Sequence, residues 1–178
     1  MTSKSKMFSY LVFTMLFAGC LSYPNFNHYT YSDAIGSGSG KSFQTNGYGR
    51  ITGIRIWELS HSIVTGFQLC FHGIWDEVIG RKTSIENTLL LFEDEFINQV
   101  SGKYFSTWIY QLRFGTSRGR FLFAGQPLKI SFNMYPDEDH QELIKLSGFQ
   151  SSDRITALAA HWMVPIKCPS NNTHGGIL

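Results

Sequence analysis

Residues 100–112 read VSGKYFSTWIYQL and residues 146–158 read LSGFQSSDRITAL. Ser101/Ser147, Gly102/Gly148, Ile109/Ile155 and Leu112/Leu158 align at an offset of 46 residues. A weaker third echo lies earlier, where Arg50-Ile51-Thr52-Gly53-Ile54 repeats the apolar pattern of Arg154-Ile155-Thr156-Ala157-Leu158. Self-similarity at a fixed interval implies repeated supersecondary units that share one core. Three such units imply pseudo-threefold symmetry, with equivalent loops gathered at an end of the molecule. Loops on a rigid β scaffold are the usual seat of binding.

The rest of the chain supports strands. Ile63, Thr65, Phe67, Leu69 and Phe71 alternate with smaller or polar residues, as do Ile54 and Ile56, then Ile109, Leu112 and Phe114 with one break in phase. Turn chemistry recurs at Gly73, Gly80, residues 117–119, 125–127 and 136–139. No stretch has a sustained helical period. Short strands separated by turns predict an all-β sandwich, barrel or prism, and the threefold echo favours the prism.

The N-terminus predicts a secretory signal over residues 1–22, with Lys4 and Lys6 before an apolar run at 7–19 and small residues allowing cleavage after Cys20 or Ser22. The run is shorter than the roughly 20 residues of a membrane span. Phe17-Ala18-Gly19-Cys20 gives a competing lipoprotein reading. Cleavage takes Lys+Arg from 15 to 13 against 13 Asp+Glu, so the mature charge is about zero. Strong non-specific attraction to nucleic acid or anionic membrane is therefore not implied. Localisation is expected to be extracellular or in the lumen of a secretory granule. Residues 23–31 are expected to form an extended arm, and 167–178 a frayed tail with an N-glycosylation sequon at Asn171. Cys70 and Cys168 remain after cleavage; a disulfide is permitted, and a buried thiol plus a tail thiol is favoured.

Gly36-Ser37-Gly38-Ser39-Gly40-Lys41-Ser42 is not a phosphate loop: only three residues separate Gly36 and Gly40, where four are required. Its glycines instead bare backbone N–H groups that can approach a ligand hydroxyl closely. The six histidines show no zinc-ligand spacing, and the acidic runs 93–95 and 137–139 read as solvated turns. No catalytic constellation, metal site or cofactor site is expected.

Five segments in order give a resemblance. TYSDAIGSGSGKSF (30–43), ITGIRI (51–56), QVSGKY (99–104), RGRFLFAG (118–125) and ITALAAHW (155–162) resemble the jacalin-related lectins. The resemblance implies a lectin domain over 23–166, folded as a β-prism of three four-stranded Greek-key sheets. It implies a metal-independent, non-catalytic protein that binds mannose-type or sulfated glycans, on glycans or glycoproteins, in a shallow site built by three loops. By that resemblance Gly40 and Lys41 lie on the glycine-rich loop, with Gly40 a backbone donor. Lys103 and Tyr104 face the ligand from a recognition loop, Tyr104 packing on a sugar face. The third loop of the family carries Gly-x-x-x-Asp; here the frame falls on Ser152, Asp153, Arg154, Ile155 and Thr156, so the aspartate has become Thr156. A neutral hydroxyl is a weaker acceptor than a carboxylate. Asp153 lies three residues early, while the backbone N–H groups of Arg154 and Ile155 remain available. Lys41, Lys103 and Arg154 are the cations for weak binding of sulfated glycosaminoglycans. Restoring aspartate at 156 is expected to strengthen mannose binding. The competing reading is a protein of the same fold that has lost ordinary sugar binding and acts through protein contacts.

Overall fold

The computed structural model describes residues 29–60 and 62–164. The expected signal, most of the expected arm, the sequon at Asn171, Cys168 and the tail lie outside these residues. In chain order the strands are β1 (Tyr29–Tyr31), β2 (Ile35–Gly36), β3 (Lys41–Gln44), β4 (Ile51–Glu58), β5 (Val64–Phe71), β6 (Ile74–Trp75) and β7 (Ile79–Gly80). They continue with β8 (Ile85–Leu90), β9 (Ile97–Phe105), β10 (Trp108–Thr116), β11 (Phe121–Gly125), β12 (Ile130–Met134), β13 (Glu142–Gln150) and β14 (Ile155–Met163). Among the described residues there is no helix, and so none long and apolar enough to cross a membrane.

Three antiparallel sheets form the β-prism. One has the order β11-β10-β9-β12, so the fourth strand of the unit returns beside the first: a Greek key. The second, β6-β5-β4-β8, repeats it. The third sets the β13–β14 hairpin between β1 and β3, completing the same order with strands from far earlier in the chain. Two outer positions are each shared by two short segments rather than one strand: β1 and β2 both pair with β14, and β6 and β7 both pair with β5. Tyr29–Tyr31 of the expected arm is thus a strand, with Tyr31 opposite His161.

Strand alternation sends one face of each sheet inward. Ile54, Leu69, Val100, Leu112, Phe114, Leu146, Leu158 and Trp162 come from all three sheets, and all are buried. They join one continuous core. Each such side chain contributes about 1.5–3 kcal/mol on burial. Cys70 is buried as a free thiol, opposite Trp75 in the ladder.

The repeat is a matter of register. Gly102 faces Leu112 and Phe132 across its ladders, and Gly148 faces Leu158 and Phe43. Gly53 holds the equivalent place, facing Cys70 and Leu90. The third copy is therefore Ile51-Thr52-Gly53 on β4, equivalent to Val100-Ser101-Gly102 and Leu146-Ser147-Gly148. The echo with residues 154–158 is not the structural repeat, because Ile155 to Leu158 lie on β14, the other strand of the hairpin, and Arg154 lies in the turn before it. A Cβ on Gly102 would run into the Gln111 carbonyl, and one on Gly148 into the Ala157 carbonyl. Around Gly53 the nearest atoms are side chains, Leu90 Cδ2 at 3.0 Å and Cys70 Cβ at 3.3 Å. Gly102→Ala and Gly148→Ala should each cost about 1–3 kcal/mol, because backbone cannot yield as side chains can. Gly53→Ala should cost less. Urea midpoints of the three variants check this ranking, and equal values would show that the hairpins tolerate the added methyl.

At the end of the prism carrying residues 92–96 and 116–120, Glu93 and Asp94 form the exposed turn expected there, but Glu95 turns inward into an ion pair. Glu95 is closed off from solvent and accepts from Arg120 Nε at 2.9 Å, Thr116 Oγ at 2.5 Å and the Phe92 N–H at 3.0 Å. Arg120 Nη2 adds a further bond and also donates to the Leu90 carbonyl at 2.7 Å. Arg118, by contrast, pairs with Asp94 on the surface.

Candidate functional site

Three connections meet at one end of the prism: residues 37–40 between β2 and β3, 106–107 between β9 and β10, and 151–154 between β13 and β14. They line an open hollow of about 440 Å³, bounded by Ser39, Thr107, Ser151, Ser152, Asp153, Arg154 and Thr156. The glycine-rich loop lies flat against β13 and β14. Gly36 and Gly40 adopt φ of 100° and 105°, and a Cβ on them would strike the Thr156 and Gln150 carbonyls respectively.

Thr156 fastens this loop. Its carbonyl accepts from the Ser37 N–H at 3.0 Å, and its hydroxyl donates to the Ser39 carbonyl at 2.5 Å. The residue is only 3% exposed. Its one O–H is thus committed to the loop, and it stands beneath the hollow as a latch.

Asp153 sits at the rim with its side chain 39% exposed. Arg154 grips it through Nε at 2.8 Å and Nη2 at 2.7 Å, and the Ser151 hydroxyl donates to it at 2.8 Å. These donors, Arg154 foremost, pull the carboxyl from 3.8 down to about 2. Among the described residues Oδ2 accepts only the Arg154 bond, so a lone pair remains for a ligand hydroxyl. The Arg154 guanidinium lies 3.9 Å from the centroid of the Trp108 ring. The Ser151 N–H closes the turn on the Arg154 carbonyl at 3.0 Å.

Of the residues named from sequence, Asp153, Arg154 and Thr156 line the hollow. The others do not. Gly40 supports the loop against Gln150, and Ser39 lines the hollow in its place. Lys41 pairs with Gln150 in the ladder and borders a separate hollow with Glu77. Lys103 donates to the Ser131 hydroxyl at 2.7 Å on the outer face of its sheet. Tyr104 turns inward against the core, edge-on to Phe132 with centroids 6.1 Å apart. The Ile155 side chain is core. Thr107 and Trp108 were missed, although the 46-residue offset marks them: Trp108 and Arg154 are equivalent positions that stack on each other. Among the described residues no three His, Cys, Asp or Glu side chains gather as a metal-ion set.

Residues 32–161 match the sequence profile of a jacalin-like lectin domain. The chain is 34% identical over 143 residues to the human zymogen granule membrane protein 16, a match that covers 78% of this chain and 84% of that protein. Among solved structures, a prostate-specific WGA16 glycoprotein lectin superposes with a TM-score of 0.67 at 24% identity, covering 77% of this chain and 100% of the other. Artocarpin, a lectin with mannose specificity, superposes with a TM-score of 0.62 at 19% identity, covering 75% and 96%. At these identities the two superpositions speak for the β-prism alone.

Proposed function

The chain belongs to the jacalin-like lectin family, and from that premise we propose that it is a secreted, non-catalytic lectin that binds neutral, mannose-type glycans in the hollow of Ser39, Thr107 and Asp153. The observation that carries this reading is Asp153. It is a charged acceptor with an unused lone pair, ringed by the hydroxyls of Thr107, Ser151 and Ser152. It supplies from the turn what the family draws from the position occupied here by Thr156. Its charge is balanced by Arg154, so no cation is needed to hold it in place, and binding is metal-independent. Sulfated glycans fit less well. Lys41 and Lys103 stand elsewhere, and Arg154 is already neutralised by Asp153.

Calorimetric titration with methyl α-mannoside and a linear mannotriose tests the reading. Asp153→Asn should weaken binding at least tenfold, since a hydrogen bond to a charged group is worth about 1.5–3 kcal/mol. A chelator should change nothing. Equal affinity in wild type and variant would remove Asp153 from the site. No binding by wild type would sink the lectin reading and favour action through protein contacts, the alternative that the commitment of Thr156 to the loop supports.

A further inference from the structure

A second concavity lies on the outer face of the sheet built from β1, β2, β3, β13 and β14. It is a trough of about 510 Å³. Ala157 and Ala159 floor it, paired across the ladder with Phe149 and Ser147. Ser37 and Gly38 of the glycine-rich loop form one wall, and Phe149 with Ser42 the other. At one end the Ser147 hydroxyl bonds His161 Nε2 at 2.7 Å, and His161 Nδ1 bonds the Tyr29 hydroxyl.

We propose that this trough is a second saccharide subsite, taking a neutral sugar unit linked to the one held in the hollow. The proposal rests on the glycan reading above. Its first support is continuity. The glycine-rich loop is the ridge between the two concavities: Ser39 lines the hollow, Ser37 lines the trough, and their hydroxyls bond each other at 2.8 Å. On β14, Thr156 borders the hollow and the next residue, Ala157, floors the trough. A glycan crossing the ridge would meet both without any strand moving.

The second support is chemistry. A sugar ring has an apolar C–H face and a hydroxyl rim. The Phe149 ring can cover the first, while the hydroxyls of Ser37, Ser42 and Ser147 can exchange bonds with the second. The small floor lets a ring lie close to the sheet. None of the lining side chains carries a charge, which selects against sulfated or carboxylated units. His161 behind Ser147 keeps that neutrality: burial, then the nearby Lys145, holds its imidazole below the ordinary range. It therefore stands as an uncharged partner that orients the Ser147 hydroxyl.

Amide chemical-shift mapping with methyl α-mannoside and mannotriose separates the possibilities. The monosaccharide should shift Ser39, Thr107 and Asp153, and the trisaccharide should add Ser147, Ala157 and Ala159. The trisaccharide should also bind roughly tenfold more tightly than the monosaccharide. Ala159→Phe, which fills the trough, should abolish that gain and leave the monosaccharide affinity unchanged. Phe149→Ala, which removes the wall, should do the same and serves if the filled variant does not fold. Shifts confined to the hollow, or a gain that survives both variants, would overturn the subsite. Shifts confined to the trough would overturn the hollow as the primary site and, with it, the trough as a second subsite for a linked unit. No shift at either place would overturn both.

Discussion

Replacing Glu95 with alanine should lower the unfolding midpoint by roughly 6–12 °C. The carboxylate is shut off from solvent and satisfies Arg120, Thr116 and the Phe92 N–H together. Removing it strands all three donors. Breaking a buried pair costs about 3–5 kcal/mol, and the partial exposure of Arg120 brings the expectation down to about 2–4 kcal/mol. Arg118→Ala, which breaks the exposed pair with Asp94, should leave the midpoint unchanged. The pH dependence gives a second measure. The Glu95 carboxyl is held at about 2 against an ordinary 4.5, chiefly by Arg120. A depressed folded value means that its stabilisation is fully present above about 4.5 and is lost as pH falls toward 2. The wild type should therefore lose stability through that window more steeply than Glu95→Ala. Asp153 titrates over much of the same range and will remain in both proteins. Thermal melts between pH 2 and 6 decide; parallel curves would show that Glu95 is not anchored as described.

Thr156→Asp should weaken the site rather than repair it. The sequence suggested that a carboxylate here would restore the family's acceptor. The Thr156 hydroxyl, however, donates to the Ser39 carbonyl in a nearly closed space. An ionised aspartate has no proton to donate and would set its charge against that carbonyl. The expected cost is about 2–4 kcal/mol, from a lost hydrogen bond and an unpaired charge left buried against the loop. The glycine-rich loop should detach and sugar affinity should fall about tenfold or more, since Ser39 moves with it. Thr156→Ser keeps the donor and should behave as wild type. Thr156→Val keeps the shape and loses the donor, so it should share the loop defect without the added charge. Mannoside titrations and amide exchange over residues 37–40 read both effects. Stronger binding by Thr156→Asp would restore the view of this position as an acceptor.

The fold was legible because its repeat includes a glycine that the backbone demands. Val100-Ser101-Gly102 and Leu146-Ser147-Gly148 recur because a side chain at either glycine would meet a carbonyl of the neighbouring strand. The third copy was misread for a physical reason. Alternation of apolar residues is common to every strand facing the core, so Arg50–Ile54 matches many partners, and only Gly53 and its ladder neighbours pick the right one. The site was less legible. Lys103 and Tyr104 are consecutive on a strand, and consecutive side chains point to opposite faces. One therefore reaches Ser131 outside and the other the core, and they do not share a ligand. Asp153 and Arg154 were visible as residues. Their mutual grip, and the Trp108 ring beneath Arg154, depend on two turns meeting in space.

The third sheet has a consequence for how the protein is made. β3 ends at Gln44 and its ladder partner β13 begins at Glu142. Translation at about 5–20 residues per second therefore leaves β1, β2 and β3 without their partners for on the order of 5–20 s. The other two Greek keys are each contiguous and can close as they emerge. Two of the three loops around the hollow belong to the sheet that waits. If the hollow is the glycan site proposed above, ligand competence is the last property a nascent chain acquires, and a ribosome halted before β14 would release a polypeptide with two closed units and no assembled hollow.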